Sequence, residues 1–399
     1  MSDIKELIER LCPDGVEYKK LGEVCEFRAG WGFPVSEQGV KKEYYPFYKV
    51  GDMNNSTMFM DIANNYISEE TAKRLKCKPA PKGTIIFPKI GAAMATNKKR
   101  ILIKDSCYDN NVMGLIATGI NDRFLYYFFS QHNLIDFANG TGAVPSLDTN
   151  RLKALEIPVP PIEVQRKIVE ILDNFTELEA ELEAELEARR KQYEYYRNQL
   201  LTFDKVGGAE IERVQLRDIC EVINGRAYKQ SELLYKGKYK VLRVGNFFSN
   251  ENWYYSDLEL EDKYYCEMGD LLYAWSASFG PHIWGNQKAI YHYHIWKMNC
   301  SNRINKKYMF YWLQSDDMKT QAMKNMHGAT MSHLTKAVME TISVPIPPLE
   351  EQKRIVSILD RFEALTTDLQ SGLPAEIEAR RKQYEYYREK LLTFKRKTA

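Results

Sequence analysis

The stretch EARRKQYEYYRNQLLTF, Glu187 to Phe203, returns as EARRKQYEYYREKLLTF, Glu378 to Phe394, with changes only at Asn198/Glu389 and Gln199/Lys390. Upstream, PVPPIEVQRKIVEILDNF (Pro158 to Phe175) returns as PIPPLEEQKRIVSILDRF (Pro345 to Phe362). Strings of such varied composition do not recur by low-complexity coincidence, so the chain is a tandem duplication. The offset is 187 residues at the proline motif and 191 at the arginine motif, which puts four extra residues around DLQSGLPAEIE. Weaker echoes lie between the repeats. LGEVCEFRAGWGF from Leu21 resembles LRDICEVINGRAY from Leu216, YKVGD resembles LRVGN, KGTIIF aligns with MGDLLY, and GTGAVPSL resembles MHGATMSHL. The layout is divergent domain, repeat, divergent domain, repeat.

Each repeat reads as a helix. Proline suits a first turn, and Ile168, Leu172, Phe175, Leu178, Leu182, Leu186, Tyr193, Tyr196 and Leu200 recur at three- and four-residue steps. From Ile162 to Phe203 such a helix spans roughly 60 Å at about 1.5 Å per residue, too long to bury its stripe alone. The other copy is the obvious partner, giving an intramolecular antiparallel coiled coil; two helices each packed on its own domain is the alternative. ELEA occurs three times from Glu177 to Ala188, whereas the second copy has Gly372 and Pro374 there, which should interrupt or kink it. The divergent regions read as α/β or α+β, with β-rich runs such as GTIIFPKI, GLIATG, DLLYAW and AIYHYHIWKM between turns. A helix is expected in each, over DRFLYYFFSQHNLIDFAN and NKKYMFYWLQSDDMKTQAM. The expected domains are 1–157, 158–211, 212–344 and 345–399.

Length and composition agree with two folded domains: 399 residues, 44% hydrophobic and 28% charged. With no long apolar span and a charged amphipathic start, the chain is expected to be soluble and cytoplasmic, away from membranes. Seven scattered cysteines without a CxxC pair argue against a disulfide framework or a zinc ribbon. A formal charge of +2 decides nothing. By segment, 1–157 holds 21 basic and 19 acidic residues and 212–344 holds 17 and 14, whereas 158–211 holds 7 and 12, so positive charge sits in the divergent domains.

Catalytic motifs are wanting. There is no GxxxxGK[ST] phosphate loop. Pro13-Asp14 with Glu17-Tyr18-Lys19 echoes a metal-dependent nuclease motif, but its two-residue gap is too short for carboxylates converging from separate strands. FRAGWG (Phe27 to Gly32) hints at a glycine-rich cofactor loop without an NPPY or DPPY motif to hold a base. His292 and His294, with His282 nearby, could ligate zinc, but surface stacking on a strand is the favoured reading. No nucleophile–base–orienter set can be drawn. Binding remains: FPKIGAAMATNKKR (Phe87 to Arg100), NGRAYK and AWSASFGPHIWG mix small residues with cations or aromatics, as loops close to phosphates do.

The PxPPxxxQ(R/K)(R/K)IVxILD opening, the ARRKQYEYYR continuation and CPDGVEYKKLGEV together resemble the specificity subunits of Type I restriction-modification systems, over essentially the whole chain. The resemblance implies two target-recognition domains, each reading half of a split, asymmetric site in double-stranded DNA. They would be joined by spacer helices that dock two methylation subunits, with restriction subunits completing the nuclease. S-adenosylmethionine, ATP and magnesium are expected in those partners and none in this chain, which is expected to be non-catalytic. A rod of ~60 Å could set half-sites roughly 34–36 Å apart, about one helical turn of DNA. Carried over by position, the expected DNA contacts are Arg28, Lys49, Lys89, Asn97, Lys98, Lys99 and Thr141 in the first domain. In the second they are Arg226, Lys229, Arg243, Asn246, Trp275, Ser276 and Thr330. Arg189, Arg190, Tyr195, Arg380, Arg381 and Tyr386 are the expected partner contacts. The rival readings are a coiled-coil adaptor between proteins, without DNA specificity, and a stand-alone DNA-modifying enzyme.

Overall fold

The computed structural model describes residues 2–42, 44–139, 145–202, 205–206, 209–248, 250–276, 278–325, 334–368 and 370–397. The chain forms two compact units, Met1–Glu181 with Ile377–Ala399, and Leu182–Glu376. Each unit therefore combines one divergent domain with part of each repeat.

In unit 1 a five-stranded sheet runs in the order Cys25–Ala29, Val112–Ala117, Ile85–Pro88, Arg100–Leu102, Phe59–Met60. A second sheet carries Tyr45–Tyr48 between Tyr66–Ile67 and Cys107–Tyr108, the last pairing parallel. Unit 2 repeats the scheme with Cys220–Asn224, Ile295–Cys300, Leu271–Ser276 and Ser278–Ile283 in one sheet, and a parallel pairing of Tyr239–Leu242 with Ala289–Tyr291 in the other. Tyr18–Lys20 pairs antiparallel with Glu156–Pro158, as Glu212–Gln215 pairs with Ser343–Ile346, so each domain is closed at its base by its own ends.

Ile162–Leu201 is one uninterrupted helix. The second copy is two helices, Leu349–Thr367 and Leu373–Leu392. The break falls where Gly372 and Pro374 led one to expect it. A Cβ on Gly372 would sit 2.6 Å from the Ala364 carbonyl oxygen and 2.8 Å from that of Asp368, so the chain can fold back on the helix end only with glycine there. Both packing schemes posed by the apolar stripe hold at once. Ile168 and Leu172 are buried in the core of unit 1 with Phe87, Phe124, Phe129 and Leu391, as Ile355 and Leu359 are in unit 2 with Trp296, Tyr308, Trp312 and Leu201. The helices also cross one another. Phe175 meets Tyr384 and Tyr387 at ring distances of 6.4 and 5.6 Å, and Phe362 meets Tyr193 and Tyr196 at 6.5 and 5.6 Å. In unit 1 Glu179 bonds Arg381 at 2.5 Å, so the pair runs antiparallel. The QYEYYR motif thus recurs because its first and last tyrosines grip one phenylalanine in each unit.

The proline motif also acts through contacts made twice. Gln165 Oε1 accepts the backbone N–H of Asn121 at 2.8 Å and its Nε2 donates to the Pro160 carbonyl at 2.7 Å. Gln352 does the same with Asn305 and Pro347 at 2.6 and 2.8 Å. Asn121 and Asn305 cap the helices Asp122–Ser130 and Lys306–Trp312. About two turns further along each repeat, Asp173 takes Arg123 and the Tyr127 hydroxyl, both at 2.5 Å, and Asp360 takes Lys307 at 2.7 Å and the Tyr311 hydroxyl at 2.6 Å. A domain helix is clamped to a repeat helix by the same glutamine and the same aspartate in both units.

Two expectations are corrected. The expected helix 305–323 is broken into Lys306–Trp312 and Asp316–Asn325 around the buried Ser315, and that over 122–139 ends at Ser130. Cysteine spacing argued against a disulfide framework; among the described residues five cysteines are free, and a single pair, Cys220 and Cys300, faces across paired strands with Cα atoms 4.1 Å apart and is bonded. Strand pairing, invisible in spacing, brings them together. The equivalent place in unit 1 has Cys25 opposite Ala117.

Candidate nucleic-acid interface

Several residues expected at DNA are engaged within their own domain. Arg28 is held by Glu26 and the Pro79 carbonyl, at 2.8 and 3.1 Å. Asn97 sits in the left-handed region at φ 52°, where its Oδ1 accepts the Leu134 N–H at 2.9 Å. Lys99 is 3% exposed and donates to Asn97 Oδ1 and the His132 carbonyl. Burial and the nearby charge of Arg388 push its ammonium down to about 7. Lys98 bonds Asn54. Arg226 makes a two-armed pair with Glu232 at 3.0 and 2.8 Å and stacks on Tyr228. Asn246 ties down the loop carbonyls of Asn250 and Asn252, and Ser276 is buried. Lys229 and Arg243 are exposed, the latter over the Tyr254 ring. Thr141 and Thr330 lie outside the described residues.

Lys49, Lys89, Arg243 and Trp275 are brought to one kind of place. In each unit the parallel strand pair leads into a short turn, Asp109–Asn111 in unit 1 and His292–His294 in unit 2. The backbone bonds match: Asp109 N–H to the Tyr48 carbonyl and His292 N–H to that of Leu242, each 2.9 Å; Gly30 N–H to Val112 at 3.0 Å and Gly225 N–H to Ile295 at 3.1 Å; Lys89 N–H to Asn111 at 2.9 Å and Trp275 N–H to His294 at 3.1 Å. Both glycines are required. A Cβ would lie 1.9 Å from the Asp109 oxygen at Gly30, and 2.4 Å from the His292 oxygen at Gly225.

The side chains around the two turns differ in charge and aromaticity. Burial raises the Asp109 carboxyl above its ordinary value, opposed by the Asn111 N–H and by Lys49. In unit 2 burial, His294 and Arg243 drive His292 down to about 4. Trp275 donates from its indole nitrogen to the Tyr293 carbonyl at 2.8 Å and packs its ring 5.1 Å from His294. Sequence reasoning passed over Asp109, Asn110 and Asn111 and treated the histidines as strand surface. Aligning CYDNNV with IYHYHI would have exposed the match. Among the described residues no cluster of three or more His, Cys, Asp or Glu side chains could hold a metal ion, so His292 and His294 have no third ligand of that kind.

On the repeats, Tyr195 and Tyr386 occupy equivalent positions, 61% and 57% exposed, each edge-on to the next tyrosine. Arg189 bonds Glu185 and Gln192 along its own helix, Arg380 bonds Gln383, Arg381 bonds Glu179, and Arg190 is exposed. No helix among the described residues is long and apolar enough to cross a membrane.

The family model described as the type I restriction modification DNA specificity domain matches twice, at residues 13–188 and 209–379. A putative type I restriction enzyme specificity subunit of Haemophilus influenzae is 34% identical over 290 residues, covering 69% of this chain and 73% of its own. The specificity subunit of the EcoR124I/EcoR124II type I restriction enzyme of Escherichia coli is 26% identical over 99% of this chain and 98% of its own. Among solved structures, a chain from a study of type I R-M complex assembly and conformational transition aligns over 95% of this chain and 97% of its own, with a TM-score of 0.65 at 17% identity. The type I S subunit from M. genitalium aligns over 95% and 96% with a TM-score of 0.53 at 15% identity, so these two support the fold.

Proposed function

We propose a division of labour for this chain, which belongs to the type I restriction-modification DNA specificity family: it supplies sequence recognition, and its partners supply the chemistry. Each unit reads one half of a bipartite site in double-stranded DNA. The two domains share a scaffold but not their exposed side chains, so the two halves differ and the site is not a palindrome. The observation that carries this reading is the doubled clamp. Gln165 with Asp173, and Gln352 with Asp360, hold two unlike domains to one repeated helical element in the same way. A duplicated mount with unlike heads suits two related reading tasks.

The repeats also offer one docking surface twice, so one chain can recruit two copies of a methylation subunit. Tyr195 and Tyr386, with Arg189, Arg190, Arg380 and Arg381, are the proposed contacts, and restriction subunits join that assembly. S-adenosylmethionine is assigned to the methylation subunits, and ATP and magnesium to the restriction subunits. The place of action is the cytoplasm.

The test is reconstitution with a labelled methyl donor. The chain combined with its methylation subunits should methylate DNA in a sequence-dependent manner, and neither component should do so alone. Methyl transfer by the isolated chain would make it an enzyme. Assembly without sequence dependence would make it an adaptor.

A further inference from the structure

We infer that the turn Asp109–Asn111 in unit 1, and its counterpart His292–His294 in unit 2, is the base-reading element of each domain. The inference rests on the DNA-recognition reading above and names where that recognition happens. The two turns hang on the same backbone bonds and press against a glycine that admits no side chain. Such a frame fixes where side chains start and leaves their identity free. At the matched positions Lys89 becomes Trp275, Asp109 becomes His292, Asn110 becomes Tyr293 and Asn111 becomes His294, while a cation stays beside the turn as Lys49 or Arg243. Asn110 and Asn111 are exposed, and Tyr293 is 39% exposed.

The chemistry favours base edges over phosphates. Phosphate oxygens only accept hydrogen bonds, whereas unit 1 places two exposed amides here, Asn110 and Asn111, over an Asp109 carboxylate that is buried and accepts the Asn111 N–H at 3.0 Å. Amides offer donor and acceptor together, the pattern that pairs with the N6/N7 edge of adenine, and a lysine fits guanine O6/N7. Unit 2 offers an arginine, two imidazoles, a phenol and an indole, suited to guanine through Arg243 and to the thymine methyl through the rings. One frame thus carries two vocabularies, and the half-sites should differ accordingly.

The experiment uses the full chain assembled with its methylation subunits, carrying Asn110→Ala, Asn111→Ala or Tyr293→Ala, with methylated positions mapped across genomic DNA. Each change should relax discrimination at a base pair of one half-site by roughly 5- to 150-fold and leave the other half-site as it was. Circular dichroism and complex assembly confirm that each variant is folded. Folded variants that all keep wild-type discrimination at both halves would overturn the inference while leaving the recognition reading intact. Weakening that is uniform across all sequences would mark phosphate contacts and overturn it as well. A wild-type complex that methylates without sequence preference would sink both.

Discussion

Gln352→Leu tests the clamp that mounts unit 2. The side chain is 0% exposed; its Oε1 accepts the Asn305 N–H at 2.6 Å, and its Nε2 donates to the carbonyls of Pro347 at 2.8 Å and Arg303 at 3.1 Å. Leucine keeps much of the volume and strands the Asn305 donor and the Pro347 acceptor, at about 1–3 kcal/mol for each. Leucine's own gain on burial offsets about 1 kcal/mol of that, leaving a net loss of about 3 kcal/mol. Five of the six tryptophans (Trp253, Trp275, Trp284, Trp296 and Trp312) lie in unit 2, so fluorescence-monitored urea unfolding reports on that unit. With a slope of about 2 kcal/mol per molar urea, the midpoint should fall by about 1.5 M. Gln165→Leu should leave the tryptophan midpoint in place while lowering unit 1. If Gln352→Leu unfolds within about 0.2 M of wild type, the glutamine is not the mount and the reasoning from its buried bonds fails.

Gly225→Ala should prevent unit 2 from folding, because its Cβ meets the Tyr291 and His292 carbonyl oxygens at 2.5 and 2.4 Å; soluble yield and tryptophan fluorescence check this, and Gly285→Ala, with open space around it, is the control. Lys99 sits at about 7 in the fold against 10.5 when unconstrained, so the unfolded chain binds the extra proton between those values. Stability should therefore rise from pH 7 toward 10 by up to about 1.4 kcal/mol per unit, and be fully penalised below 7. Lys99→Met should flatten that slope in calorimetry. Inserting one more ELEA unit after Ala184 adds about 6 Å of helix. On the proposed reading it widens the gap between half-sites by about two base pairs at roughly 3.4 Å each, and an unchanged gap in methylation maps would reject the helix as the spacer.

Helix periodicity and the repeat made the scaffold legible, because both are written locally. Proline, glutamine and aspartate recur at fixed places in the two copies, and the break at Gly372 could be read from its composition. The interface was less legible. Small-residue loops with lysine and asparagine suggested contacts, but Asn97 and Lys99 spend their bonds on Leu134 and His132, which no local pattern connects to them. The turns at 109–111 and 292–294 acquire meaning only when Tyr45–Tyr48 pairs with Cys107–Tyr108, and Tyr239–Leu242 with Ala289–Tyr291. The Cys220–Cys300 bond has the same origin, at a sequence separation of 80.

On the proposed reading, two like-mounted, unlike domains each read half of one site. Single-molecule mapping of methylated bases in DNA exposed to the reconstituted complex measures this directly. The expected result is one motif made of two different short halves separated by a gap of fixed length with no sequence preference. A palindromic motif, a single uninterrupted motif, or methylation without any motif would contradict it.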